Sequence, residues 1–329
     1  MSAMTTNAPA GGTGTAAPRS RSPLSGAVWV AWRRQRLSLL VLAAVAVALA
    51  VYCALERDQL IDFLDSGRQR PGEWLPERYA GPIDYGILLL NMLPLVVGVF
   101  VGAPLLAREE ENGTLRLLVT QSVSRSRVVA TTLAVPLLAV AVCTTAMSMA
   151  LTWIWRPARD FHDGGNWWMS GAFTTTGPMP VALAVFATAL GIAAGAVLRR
   201  SLAAMATTFV ALFLVEAALA RRVQDLFASP KQLAFPLEGQ AKELKPGQVE
   251  FDQWIGTADG KLYGWGHCTL PTEKEADACL KETGIVNRVV EYLEYGQLGG
   301  MQWSFAAVLL AMTAALAVFT VWWARRMSL

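Results

Sequence analysis

The chain has 329 residues, 54% of them hydrophobic and only 16% charged, where soluble domains carry about 25% charge. That composition excludes an ordinary soluble domain and points to lipid as the solvent. The formal net charge of +3 is not a nucleic-acid footprint either, because it resolves into a topology pattern along the chain.

Residues 1–24 are rich in Ala, Thr, Gly, Ser and Pro and show no apolar period, the signature of a disordered cytosolic tail. Residues 25–36 follow, with Trp29 and Trp32 beside Arg33, Arg34 and Arg36. This composition suits a helix lying in the membrane interface before the chain turns in. Simple anchoring of the first span by aromatic and basic flanks is the alternative. The first apolar run is Leu37–Leu55. Its 19 residues exceed the roughly 7–15 of a signal peptide. With no small-residue cleavage site after it, the run is expected to stay as a span.

Five more runs follow, Tyr85–Ala107, Val128–Trp155, Met179–Leu198, Ser201–Ala220 and Trp303–Ala324. A bilayer core of about 30 Å needs about 20 helical residues. Backbone inside lipid must satisfy its own hydrogen bonds, so all six runs are expected to be helical. Orientation follows from Lys and Arg in the short loops. Thirteen basic residues fall on the side of the N-terminus, against six in the two short loops 56–84 and 156–178. Both termini are therefore expected in the cytosol. Segment 221–302 carries nine basic and twelve acidic residues, a net −3, which leaves +6 for the rest.

Residues 108–127 join spans two and three and carry the densest pattern in the chain. Arg108 meets the interface and Glu109, Glu110 and Glu111 extend the helix by about one turn. Gly113 tolerates the left-handed conformation that ends a helix, and Thr114 can cap a short second one. On it Leu115, Leu118 and Val119 fall at i, i+3 and i+4 and share a face. Such a helix suits docking in a groove of a soluble partner. A surface turn with its arginines on lipid phosphates is the bland alternative.

Inside the spans, ionisable groups are scarce, as expected from the roughly 2.5–3.5 kcal/mol cost of a charge near the bilayer centre. Glu216 in span five and, more weakly, the polar Asn91 in span two are the candidates for a cargo path. Glu216 can equally snorkel or pair with Arg221 or Arg222. Gly98–Gly102 and Gly191–Gly195 are small-xxx-small repeats, which let helices pack closely.

Segment 221–302 is long enough to form a small extracytoplasmic domain. Glycines around Lys261-Leu262-Tyr263 mark a strand or hairpin, and 273–281 reads as a short helix. Cys268 and Cys279 are expected to pair in an oxidising compartment, whereas Cys53 and Cys143 sit in spans as apolar fillers. His267 beside Cys268 lacks further ligands at metal-site spacing, so no metal is expected. The domain either caps an outer gate or touches cargo, or is a structured loop that does neither. No G-x-x-x-x-G-K-[ST] occurs. Gly256-Thr257-Ala258-Asp259-Gly260-Lys261-Leu262 misses it by one residue and has Leu after Lys. No H-E-x-x-H, G-x-S-x-G or nucleophile–base pair stands out, so catalysis is not expected of this chain.

Residues 109–125 resemble a motif of ABC-2 type permeases, the membrane subunits of ATP-binding-cassette exporters. Glu109, Glu111, Gly113, Thr114 and Leu115 match its E-x-E-x-G-T-L part, and Val123, Ser124 and Arg125 match the following P-[VI]-S-R element. Ser122 stands where the family usually has Pro, a departure expected to loosen the turn before span three. The resemblance extends to six spans, an interfacial helix and a large outer segment between spans five and six. It implies an all-α polytopic membrane protein divided as tail 1–24, interfacial helix 25–36, spans one to five over 37–220 with coupling region 108–127, outer domain 221–302, and span six with a short tail over 303–329. It implies that residues 109–125, with Leu118 and Val119, form a coupling helix against a separate ABC ATPase, which holds ATP and Mg2+ while this chain binds no cofactor. It further implies a second permease copy or related permease, a location in the cell membrane, and outward movement of an amphipathic drug, antimicrobial peptide or lipid-like cargo. Another class left open is a ligand-sensing or ion-coupled membrane protein working without an ATPase.

Overall fold

The computed structural model describes residues 23–111, 125–237 and 244–326. Six helices are long and apolar enough to cross a membrane. They cover Gln35–Asp65, Glu77–Arg108, Ala130–Ala158, Met179–Leu198, Ser201–Ala218 and Tyr295–Arg326, here spans one to six. Residues 25–36 do not form a helix of their own. They belong to one 43-residue helix, Pro23–Asp65, which at 1.5 Å per residue is about 65 Å long. The expected turn ahead of span one is absent because nothing in Trp29–Arg36 breaks a helix, and Pro23 occupies the first turn, where a missing N–H costs nothing. Trp29 and Trp32 are exposed on it, with the Arg33 guanidinium 5.1 Å from the Trp29 ring centre.

Span four is the axis of the bundle. Two-thirds of its apolar window is buried (67%), against 17% for span five. Its partner is span two, which is not a regular helix. An α-helical stretch Glu77–Val96 carries Pro94, which lacks the N–H that would bond to Leu90. The helix widens directly afterwards into a π-turn, Val97–Gly102, and resumes as Ala103–Glu111. The widened turn carries both glycines of the first small-residue repeat. A methyl at Gly98 would lie 2.9 Å from the Ala187 carbonyl oxygen, and one at Gly102 would meet the Thr188 carbonyl oxygen. Reciprocally, a methyl at Gly191 would run into the Gly98 carbonyl, and one at Gly195 into the Ala103 carbonyl. The two repeats therefore interlock backbone against backbone, the closest approach two helices can make.

Segment 221–302 is more structured than a hairpin and a helix. Span five continues as a helix to Phe227, and span six begins at Tyr295. Between them lie strands β1 (Lys231–Pro236), β2 (Gln248–Thr257), β3 (Leu262–Gly264) and β4 (Ile285–Glu294). They form one antiparallel sheet in the order β1-β4-β2-β3. The near miss to a nucleotide loop, Gly256–Leu262, is the β2–β3 turn: Thr257 N–H donates to the Lys261 carbonyl (3.0 Å) and Gly260 adopts φ +88°. Helix Glu273–Thr283 starts at Thr272, whose hydroxyl accepts from the Glu275 N–H, and stops at left-handed Gly284, the cap chemistry expected at each end. Cys268 and Cys279 are joined by a disulfide, S–S 2.06 Å, which ties the loop after β3 to that helix.

The sheet rests on the bundle through aromatic side chains. Trp167 donates to the Gly247 carbonyl (3.3 Å) and packs edge-on against Tyr295. Trp168 meets Phe251 and Phe173, and Phe227 crosses Phe305 at 4.5 Å. Beneath them Gln302 of span six is buried and donates to the Phe173 and Thr176 carbonyls at 2.9 and 3.0 Å. This pins the short helix Ala172–Thr175 under the sheet.

Interlocked backbones leave no room for relaxation. Gly191→Ala is expected to destabilise the purified chain by about 1–3 kcal/mol, the usual cost of overpacking. Gly299→Ala, which meets nothing within 4 Å, should be neutral or slightly stabilising. Thermal unfolding in detergent, followed by near-ultraviolet circular dichroism, separates the two.

Candidate functional site

The end of the bundle opposite the sheet brings spans two, four and five together. Ala103, Ala107 and Ala204 are fully buried against one another there, small enough to let three helices converge. Span four ends at Leu198. Arg199 takes the left-handed conformation (φ 55°) while its N–H bonds to the Gly195 carbonyl. Arg200 is extended, and span five starts at Ser201. A non-glycine residue in the left-handed region costs about 1–2 kcal/mol, so the two-residue reversal is held by its surroundings.

Glu111 supplies part of that hold. One carboxylate oxygen accepts from the Ser201 backbone N–H at 2.8 Å and the other from the Ser201 hydroxyl at 2.6 Å. A helix start has unpaired N–H groups and a partial positive charge, so a carboxylate there satisfies both. The Glu111 carboxyl is correspondingly held below the ordinary glutamate value, first by the Ser201 hydroxyl, then by the Ser201 amide, with a smaller pull from Arg108 and Arg200. The last acid of the cluster after span two thus bridges directly to the first residue of span five.

Glu111 is the one residue of the proposed coupling set whose side chain is described. Gly113, Thr114, Leu115, Leu118, Val119 and Ser124 lie outside the described residues, as do the side chains of Glu109 and Arg125. Ser201 was not singled out by sequence reasoning. The available signal was a hydroxyl residue at a helix start behind the Arg199-Arg200 break.

Asn91 and Glu216 are not brought together. Asn91 is half-buried and its Oδ1 accepts from the Thr174 hydroxyl (2.9 Å), so it fastens the segment under the sheet. Glu216 lies on an exposed face of span five, close to the exposed Phe213 and Leu214. His267 sits within 4.8 Å of the Cys268 and Cys279 sulfurs, but those sulfurs are bonded to each other and have no thiolate to offer a metal. At the sheet end, sequence reasoning also passed over His162. It is buried, with Nε2 2.9 Å from an Asp84 carboxylate oxygen and Nδ1 3.8 Å from one of Asp163. That pair ties the start of span two to the loop after span three.

Six apolar helices, a glycine-locked centre and a carboxylate at the end of span two bonded to the start of span five define a multi-pass membrane protein with no evident catalytic grouping among the described residues. Residues 37–224, more than half of the chain, match the family described as ABC-2 membrane transporter related, and the chain belongs to that family. It is a membrane subunit of the ABC-transporter type, a class that is generally non-catalytic and generally works with an ABC ATPase. No curated protein and no solved structure matches the chain.

The depressed Glu111 value sets a pH dependence. The bridge should be intact above the unfolded glutamate value and be lost as pH falls through the lower folded one. Hydrogen exchange at the Ser201 amide, corrected for intrinsic rates, should show protection at neutral pH that disappears in acid. In Glu111→Gln, protection should be weaker and flat over the same range. Equal protection in both proteins at all pH values would remove the bridge.

Proposed function

We propose that this chain is the transmembrane permease subunit of an ABC exporter. A separate ATPase chain hydrolyses ATP with Mg2+, and this chain converts the ATPase motion into passage of an amphipathic cargo such as a drug, antimicrobial peptide or lipid-like molecule. The observation that carries the reading is the Glu111–Ser201 bridge. It lies at the mouth of the segment resembling the family's coupling motif and connects that segment to a second span without passing through the bilayer. A push on residues 112–124 then reaches span five as well as span two.

Further support comes from the charge pattern. Basic residues favour the Glu111 end of the bundle, which by the positive-inside rule faces the cytosol, where an ATPase and its nucleotide are found. Both termini lie on that side in this reading, and the sheet domain faces out of the cell membrane. Six spans are half of a twelve-span pathway, so a second copy or a related permease completes it. Span five, with most of its surface turned away from its own bundle, is the helix best placed to line the shared path, with Glu216 on it. An ion-coupled mechanism draws less support, since Asp84 is already paired with His162.

The test is co-purification with an ABC ATPase of the same genome, co-expressed with this chain. The wild type should carry the ATPase through size exclusion and stimulate its turnover. Leu118→Glu combined with Gly113→Pro should lose the complex while the permease still runs as a folded oligomer. Glu111→Gln should keep the complex but lower stimulated turnover by several-fold, because it removes only the link to span five. A wild-type chain that ignores the ATPase sinks the proposal.

A further inference from the structure

Spans three and six leave a groove between them at the Glu111 end of the bundle. Its volume is about 520 Å3, within the roughly 300–1,000 Å3 of small-molecule sites. Leu133, Ala134 and Leu137 form one wall and Val318, Val321 and Trp322 the other, so the lining is almost wholly apolar. Leu133 also belongs to the buried cluster that joins spans two, three, four and six through Leu106, Ile192 and Ala324. Alanines make the depth: Ala130, Ala134 and Ala317 stand where larger side chains would fill the space.

The mouth of the groove has different chemistry. Arg325, in the last turn of span six, lines it. Arg325 is exposed and makes no ion pair among the described residues. Its neighbour Arg326 is held 4.4 Å over the Trp322 ring, which keeps a second guanidinium at the same level. A cation at the end of a span, with no carboxylate paired to it among the described residues, beside an apolar slot, complements a molecule with an anionic head and a hydrocarbon tail. Basic sites between spans at the membrane surface bind anionic lipid head groups on this principle. Arginine matches phosphate oxygens with two parallel donors.

We propose that the groove between spans three and six is a binding site for an anionic phospholipid, with its phosphate on Arg325 and one acyl chain between Ala134 and Val318. Ordinary boundary lipid explains the apolar walls alone, but it predicts no preference for head-group charge. The site is separate from the Glu111–Ser201 bridge and independent of the cargo.

The experiment is native mass spectrometry of the delipidated full chain in detergent, titrated with dioleoyl phosphatidylglycerol and, separately, dioleoyl phosphatidylcholine. The wild type should take up phosphatidylglycerol in preference to phosphatidylcholine. Arg325→Gln should weaken phosphatidylglycerol about tenfold, the order expected for one charge-assisted contact, and leave phosphatidylcholine unchanged. Ala134→Phe, which fills the slot without touching the charge, should abolish the preferred phosphatidylglycerol adduct. Equal uptake of the two lipids by the wild type overturns the proposal. So does unchanged phosphatidylglycerol affinity in either variant. Disulfide formation between chains carrying Val318→Cys would also overturn it, since a second copy would then cover the groove.

Discussion

Everything else in this molecule hangs on the contact between the π-turn of span two and the glycines of span four. In water, burying apolar side chains would hold two such helices together. In a bilayer that force is missing, because lipid tails are as apolar as leucine, and cohesion comes from close packing. Gly98, Gly102, Gly191 and Gly195 provide it by letting carbonyl oxygens and α-carbons touch across the interface. Pro94 and the π-turn are part of the same device. The π-turn carries both glycines of span two, and both meet span four.

This lock divides the bundle into parts that move together and parts that do not. Spans two and four are one body, since any slide between them drives backbone atoms into each other. Span six joins that body through Gln302, whose amide donates to two carbonyls in the turn before span four. Span five is different. It packs on the same body chiefly through Ala204 and Leu212 and leaves most of its window exposed. Among the described residues, its polar attachment to span two is at its first residue, where water competes for the Glu111 carboxylate. The joint between the end of span two and the least buried span is thus an exposed one.

Much of this was legible in the sequence because lipid imposes a simple rule. A run of about 20 apolar residues must be a helix, so all six spans could be read off without knowing their neighbours. The glycine repeats announced close packing, though not that the two would pair with each other. The four-stranded sheet was harder to see. β4 pairs with both β1 and β2, and its mixture of Val, Asn, Arg, Glu and Tyr shows no clean alternation, matching a burial pattern in which buried and half-buried residues come in pairs. The break at 25–36 was expected from composition alone, but tryptophan and arginine do not end a helix, and none ends there. The partners of Glu111, His162 and Gln302 were beyond reach for a common reason: Ser201, Asp84 and Thr176 are 90, 78 and 126 positions away, distances over which local pattern carries no information.

Placement of the Glu111–Ser201 bridge also limits what an external input can do. A partner that binds the segment after Glu111 shifts the bundle only if it binds two arrangements of that segment with different affinity. The glycine-locked body leaves little room for a second arrangement, because its helices meet backbone to backbone. The bridge can supply one. With it closed, the helix end at Glu111 and the start of span five are one unit, and Arg199 is kept in its left-handed turn. With it open, the turn loses one of its supports. A switch of this kind needs no buried charge, which fits spans whose Glu216 faces outward and whose Asp84 is already paired with His162.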